Sequence, residues 1–180
     1  MGLLANTKTR GNEVASDMVR SIAVVLLFVV VAGMWFLFVR PHPDLVHPID
    51  YGPELRAARS AATYHVLAPV GLPPSWRATS ARHERTAGGS TVTFHLGFVT
   101  PEGRYADLDE SNGDAATFVR TELGEHPSAL STITVAGSRW QQLRAAHGEL
   151  ALARQNGGVT VLVHGSAAIA ELTRLAGALR

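Results

Sequence analysis

The most distinct pattern in the chain is a continuous apolar run, Ile22 to Val39, bounded by Arg20 and Arg40. It contains eighteen residues without a charged or polar side chain. As a helix, such a run spans roughly 27 Å, close to the thickness of the hydrocarbon core of a bilayer. A buried helix of a globular protein normally keeps a polar face, which this run lacks. The pattern therefore predicts a transmembrane helix at 21–39.

The run is longer than the apolar region of a cleaved signal peptide, and residues 38–43 show no small-residue cleavage pattern. We therefore expect an uncleaved signal-anchor. The tail before the run is short and carries Lys8, Arg10 and Arg20, whereas long domains cross a membrane largely regardless of their charge. These features predict a single-pass protein of the plasma membrane, with 1–20 as a cytoplasmic tail and the C-terminal part outside the cytoplasm.

Residues 40–63 are predicted to be a spacer, because their first part is rich in proline. Pro53 can occupy the first turn of a helix, so 54–62 can form a short helix. His42 and His47 in the spacer are better explained as solvated side chains than as metal ligands.

The remaining residues, 64–180, alternate apolar and polar positions in short segments, which predicts β-structure. In the clearest strand, Val92, Phe94, Leu96 and Phe98 point one way, and Thr91, Thr93, His95 and Gly97 the other. The other predicted strands are 76–84, 131–135, 139–144, 149–155 and 159–164. The turn Asn156-Gly157-Gly158 predicts that the last two form a hairpin.

Two helices are expected among these strands. Asn112 or Asp114 can cap a helix that runs to Glu122, and Ser166 can open a C-terminal helix with an apolar stripe over 169–179. The predicted fold class is α+β: an N-terminal transmembrane helix, then a mainly antiparallel sheet of about six strands packed with two or three helices. The helices are expected on one face of the sheet.

Composition excludes several classes of function. The absence of cysteine rules out disulfides, thiolate metal sites and a lipid-modified cysteine. The net charge of +1 argues against a nucleic-acid partner. The basic residues are almost all Arg, which is typical of GC-rich coding.

The sequence contains no nucleophile elbow, phosphate-binding loop, zinc signature or dinucleotide-binding fingerprint. The acidic segment 107–113 lacks the Gly and Glu that an EF-hand loop requires, so an acidic turn before a helix is the simpler interpretation. His83 and His95 can face each other on the first hairpin, with His164 at the end of the last strand. Half-exposed strand histidines explain these three better than a metal site. We therefore predict no catalytic, cofactor-binding or metal-binding residues and no cofactor.

Three arginines in the later strands, Arg139, Arg144 and Arg154, can meet a phosphate or a carboxylate. Solvated strand faces explain them equally well. Trp76 and Trp140 are expected to be packing anchors.

The order of several short motifs is more specific than any one of them. The sequences are LAPVGLPPSWRATS at 67–80, LGFVTPEGRY at 96–105, VAGSRW at 135–140 and VHGS at 163–166. Over roughly 20–180 this order resembles the family catalogued as domain of unknown function 4245, with Pro74-Ser75 departing from the family's usual turn. The resemblance implies an actinobacterial single-pass membrane protein with a small outward domain, and it carries over no catalytic residues.

The residues that carry the resemblance are interpreted as structural. We expect them to build turns, to place Trp76 in the core and to pack Tyr105 back onto the turn before it. They are Gly71, Leu72, Pro73, Trp76, Thr100, Pro101, Gly103, Tyr105, Gly137, Trp140 and Gly165.

The expected function is non-enzymatic binding of an envelope protein or glycan by a membrane-anchored domain. One alternative is a sensor or regulator that signals through the span, and a less favoured one is an unrecognised envelope enzyme.

Overall fold

The computed structural model describes residues 10–39, 47–86 and 89–180. The chain forms two compact units, Met1–Asp44 and Leu45–Arg180. The first contains helix α1 (Arg10–Val39). No helix within the described ranges is long and apolar enough to cross a membrane, so the predicted transmembrane helix at 21–39 is not supported. The proline-rich start of the predicted spacer, up to residue 46, lies outside the described residues.

The second unit is an α+β domain built on one antiparallel sheet. Its helices are α2 (Gly52–Ala61), α3 (Ala115–Leu123) and α4 (Ile169–Ala178). Its strands are β1 (Arg77–Arg85), β2 (Val92–Val99), β3 (Tyr105–Ser111), β4 (Ser128–Val135), β5 (Ser138–Arg144), β6 (Leu150–Asn156) and β7 (Val159–Gly165). The strand order is β1-β2-β3-β7-β6-β5-β4, and each neighbouring pair is antiparallel. The α+β class and the antiparallel sheet are confirmed, with seven strands rather than about six.

The additional strand is β3, for which the acidic composition predicts a turn. Asp107, Asp109 and Glu110 make it look like a solvated loop. The backbone instead pairs with β2 on one side and β7 on the other. The prediction was wrong because two histidines and a backbone N–H distant in sequence hold the Asp109 and Glu110 carboxylates within the fold.

The two faces of the sheet pack against different helices. On the first face, Phe94, Leu96 and Val163 pack with Leu172 and Leu175 of α4, together with part of α2. The second face packs against α3 in a smaller cluster that contains Phe118, Leu123, Leu143, Ala151 and Leu162. The expectation that helices lie on one face only was therefore wrong. Side chains alternate along β7, so this strand supplies both clusters.

The ends of the helices follow the sequence only in part. Asp114 caps α3 and accepts a hydrogen bond from the Thr117 N–H at 2.9 Å. Gly124 ends α3 with φ of 88°. Ser166 does not cap α4, because its Oγ accepts a hydrogen bond from the Tyr105 N–H at 3.1 Å. It therefore ties the start of β3 to the end of β7.

The family-specific turns lie where the chain reverses. The Trp76 N–H donates to the Pro73 carbonyl at 2.9 Å, in the turn that contains Leu72. This turn places Trp76 in the core, 6% exposed, with its ring edge-on to that of Phe98. Gly71 precedes the turn with φ of 78°.

Two other turns also use left-handed glycines. The Gly103 N–H donates to the Thr100 carbonyl at 2.9 Å, around Pro101, and Gly137 joins β4 to β5 with φ of 78°. Trp140, next along β5, is 1% exposed, as expected of a packing anchor. Tyr105 was expected to pack against its turn but is 58% exposed, because it is the first residue of β3 and points away from the core.

Gly165 gives a test of the junction between β3 and β7. Its φ is 136°, and an added Cβ would lie 2.4 Å from the Tyr105 carbonyl oxygen. We expect Gly165→Ala to lower the free energy of unfolding by about 3 kcal/mol or more, measured by urea denaturation. Gly148→Ala is the control, because Gly148 has φ of 89° but no atom of the described residues lies within 4 Å of its Cβ position. Equal losses in the two variants would contradict a steric role for Gly165.

Candidate functional site

A group of polar side chains occupies the second face of the sheet beside α3. The register places His95 of β2 directly opposite Asp109 of β3, and Asp107 opposite His164 of β7. Side chains opposite or diagonal to each other across antiparallel strands are close enough to interact. We call this group the His–Asp cluster; it consists of Ser80, His95, Asp107, Asp109, Glu122 and His164.

Asp109 is the centre of the cluster. His95 Nδ1 lies 2.7 Å from Asp109 Oδ1, and His164 Nε2 lies 2.7 Å from Asp109 Oδ2. The Asp109 side chain is 1% exposed and each histidine side chain 13% exposed. One buried carboxylate therefore holds two imidazole rings, one through each of its oxygens.

The protonation of the cluster follows from this geometry. Burial raises the pKa of Asp109, but the hydrogen bonds from His164 and His95 and the electrostatic attraction of both rings together outweigh burial and lower that pKa to about 2. Burial lowers the pKa of His164, but the Asp109 hydrogen bond and charge outweigh it and raise this pKa. Because its pKa is lowered, Asp109 is a carboxylate at neutral pH. Burial raises the pKa of both Asp107 and Glu122.

Ser80 extends the cluster onto β1. Its Oγ lies 3.1 Å from His95 Nε2, so Ser80, His95 and Asp109 have the atomic connectivity of a nucleophile, a base and an orienting acid. A Cβ added at Gly97 would lie 2.4 Å from the Ser80 Oγ and 2.7 Å from Asp107 Oδ1. Glycine at this position therefore leaves the space that these two polar groups occupy. Ser80 does not line the groove that forms on this face between α3 and strands β4 to β6.

The three strand histidines considered in the sequence lie on different faces of the sheet. His95 and His164 meet through Asp109, but His83 does not face His95. His83 is opposite Phe94 in the hairpin and bonds to Glu54 of α2, with Nδ1 2.7 Å from Oε1. Neighbouring residues of a strand point to opposite faces, so pairing Arg82 with His95 sends His83 to the other face.

The groove between α3 and strands β4 to β6 is the second feature of this face and has a volume of about 880 Å³. Its walls include apolar side chains of α3 and the sheet, such as Val119 and Leu143. Arg120, Arg139 and Arg154 also line it, with Glu125 as the acidic side chain among its lining residues. Of the three arginines singled out from the sequence, Arg139 and Arg154 are both lining residues of this groove, although the Arg154 side chain lies over Trp140 on the opposite face. The third, Arg144, lines a different groove and donates to the Gly148 carbonyl.

The opposite face holds a buried carboxyl group, that of Glu110, beside a cavity of about 200 Å³. Glu110 is 0% exposed, and its Oε1 accepts the Leu67 N–H at 3.0 Å. Burial raises its pKa to about 8, although the Leu67 hydrogen bond and Arg154 oppose the shift. Arg154 lies over the Trp140 ring at 4.8 Å. In the sequence, Glu110 was one acid in a supposed turn, and no local signal marked it as buried.

Fold and site together define an α+β domain with a buried His–Asp cluster and an arginine-lined groove on one face of its sheet. The chain belongs to the family described as protein of unknown function (DUF4245), whose model matches residues 10–179. No curated protein and no solved structure shows significant similarity to it.

Glu110 gives a pH-dependent prediction. Because its pKa is about 8 in the folded protein against 4.5 ordinarily, its protonated form stabilises the fold fully below about pH 4.5, and this contribution is lost as pH rises through 8. We expect Glu110→Gln and the native chain to unfold with similar free energies near pH 5. At pH 9 the variant is more stable by a few kcal/mol.

Urea denaturation at both pH values measures this difference, with exposed Glu84→Gln as the control. A difference between the Glu110→Gln variant and the native chain that does not change with pH would contradict the assignment.

Proposed function

We propose that the domain is a non-catalytic binding module that takes an extended acidic segment of a partner protein along strand β4. The observation that carries the proposal is an edge of the sheet that no other described strand covers, beside the arginine-lined groove. Strand β4 is last in the strand order. Its eight residues, Ser128–Val135, include neither a charge nor a proline, and all are exposed except Ile133 and Val135.

An open edge favours an extended partner, because its backbone N–H and C=O groups can pair with another strand. The opposite edge, β1, has the features that normally prevent such pairing. It carries Arg82, Glu84 and Arg85, and its register is irregular at Ala78 to Ser80. The Ile49 N–H also donates to a β1 carbonyl at 2.9 Å. The contrast between the edges supports a docking role for β4.

The charge of the groove favours an acidic segment. Thr132 of β4 pairs with Gln141, and Thr134 pairs with Arg139, which lines the groove. A strand added to β4 would point alternate side chains toward the same face as Arg139. Acidic residues at those positions would approach Arg139 and Arg120 and gain electrostatic attraction, whereas basic residues would be repelled.

The first test measures binding of a fluorescent octapeptide of alternating Val and Glu to the full chain, by polarisation. We expect Arg139→Glu to weaken binding about tenfold, because attraction becomes repulsion. The matched control is Arg82→Glu, the same charge change on the opposite edge, which should bind as the native chain does. Equal binding of a Val-Lys octapeptide, or equal losses in the two variants, would contradict the proposal.

Edge pairing is tested separately with Ser131→Pro and Thr132→Pro. Successive N–H groups of a strand point in opposite directions, so one proline removes a donor facing β5 and the other removes an outward donor. The variant that keeps the melting temperature of the native chain is the one that has lost the outward donor. We expect that variant not to bind the Val-Glu peptide.

We further propose, from the apolar run in the sequence rather than from the described helices, that residues 21–39 anchor this module in the plasma membrane as a single span, with residues 1–20 in the cytoplasm and the domain outside. The eighteen-residue apolar run 22–39 supports this proposal. Signalling through the span is the alternative, and it requires that the N-terminal tail contact a regulator.

The orientation is tested with single cysteines at Asn6 and Ser90 in this cysteine-free chain. We expect an impermeant thiol reagent to label the Ser90→Cys variant, but not Asn6→Cys, in intact cells. Labelling of Asn6→Cys alone would reverse the orientation, and recovery of the chain in the fraction released by alkaline carbonate would exclude the span.

A further inference from the structure

The His–Asp cluster brings three metal-binding side chains together from three elements of the fold. Asp109 belongs to β3, His164 to β7 and Glu122 to the last turn of α3. One ligand atom from each lies within 4.8 Å of the others. Glu122 follows Phe118 by four residues on α3, and Phe118 packs on the sheet, so the helix turns the Glu122 side toward the cluster.

The spacing suits a divalent transition metal. Zinc bound at about 2.0–2.2 Å by nitrogen and oxygen ligands separates them by roughly 3–3.5 Å. His164 Nε2 and Asp109 Oδ2 are 2.7 Å apart, joined by one proton. If His164 Nε2 and Asp109 Oδ2 moved apart by less than an ångström, to roughly 3–3.5 Å, a zinc ion could take the place of that proton. One imidazole and two carboxylates form a donor set that transition metals accept, whereas calcium needs six to eight oxygens.

The outer contacts of the cluster are those expected around a metal ligand. His95 Nδ1 donates to Asp109 Oδ1, the carboxylate oxygen that does not face His164. Ser80 contacts the other nitrogen of His95, Nε2, at 3.1 Å. Such hydrogen bonds fix the orientation of a ligating carboxylate. Asp109 is thus held with Oδ2 turned toward His164.

We propose that Asp109, Glu122 and His164 bind a zinc ion, with His95 as a positioning residue that orients the Asp109 carboxylate. Three protein ligands leave a fourth coordination position for water. Binding replaces the proton between His164 and Asp109. Asp107 and Glu122, which also face His164, add negative charge that attracts the cation.

The test titrates the untagged full chain with zinc chloride by calorimetry, and with cobalt chloride by visible absorption. We expect one ion per chain, an absorption spectrum typical of a four-coordinate cobalt site, and no displacement by excess calcium. Glu122→Gln should weaken zinc binding at least tenfold while retaining the far-ultraviolet circular dichroism of the native chain. His95→Gln should weaken it by about tenfold through the misoriented carboxylate.

Two controls separate this site from other binding. Glu125→Gln removes an exposed carboxylate just beyond α3 and should leave zinc affinity unchanged. A His42→Gln/His47→Gln double variant should also bind normally. The proposal is overturned if the native chain shows no saturable 1:1 binding, if Glu122→Gln binds as the native chain does, or if the double variant alone loses binding.

Discussion

The pairing of β3 with β7 is the constraint on which the domain depends. Every other neighbouring pair in the described sheet is consecutive in sequence, so this pair alone joins the first three strands to the last four. The junction is reinforced at its end, where the Ala167 N–H donates to the Tyr105 carbonyl at 2.9 Å. Gly165 permits that close approach. Because β3 lies between β2 and β7 and both faces of the sheet are covered by helices, its side chains enter the interior on both faces.

This position explains why the domain buries carboxyl groups. Asp109 and Glu110 are adjacent in β3 and therefore point to opposite faces. Burying a carboxylate is unfavourable unless hydrogen bonds replace water. Asp109 stays ionised because two histidines donate to it, whereas Glu110 has one backbone donor and is held mainly in its protonated form. The contribution of Asp109 to stability is therefore lost as pH falls through about 2, whereas that of Glu110 is lost as pH rises through about 8.

Helix α3 connects the two candidate sites on the second face. One side of the helix directs Glu122 toward the His–Asp cluster, while Val119 and Arg120 line the groove beside β4. A ligand that fixes α3 against the sheet at the cluster would also fix one wall of the groove. The zinc and peptide proposals rest on different residues, so either one can fail without the other.

The sequence by itself determined most of the local structure. Alternation predicted β2 and the later strands, and Asp114 and Gly124 marked the ends of α3, because these signals depend on neighbouring residues. It did not predict β3, since three acidic residues in a short segment indicate a solvent-exposed turn unless the groups that form hydrogen bonds with them are known.

Those partners are distant in the chain. His95 and His164 lie 14 and 55 residues from Asp109. The tertiary structure alone decided which histidines meet Asp109, because strand register selects His95 over His83. It also decided that α3 and α4 pack on opposite faces. Burial and pairing depend on which strands become neighbours, and local alternation does not specify that order.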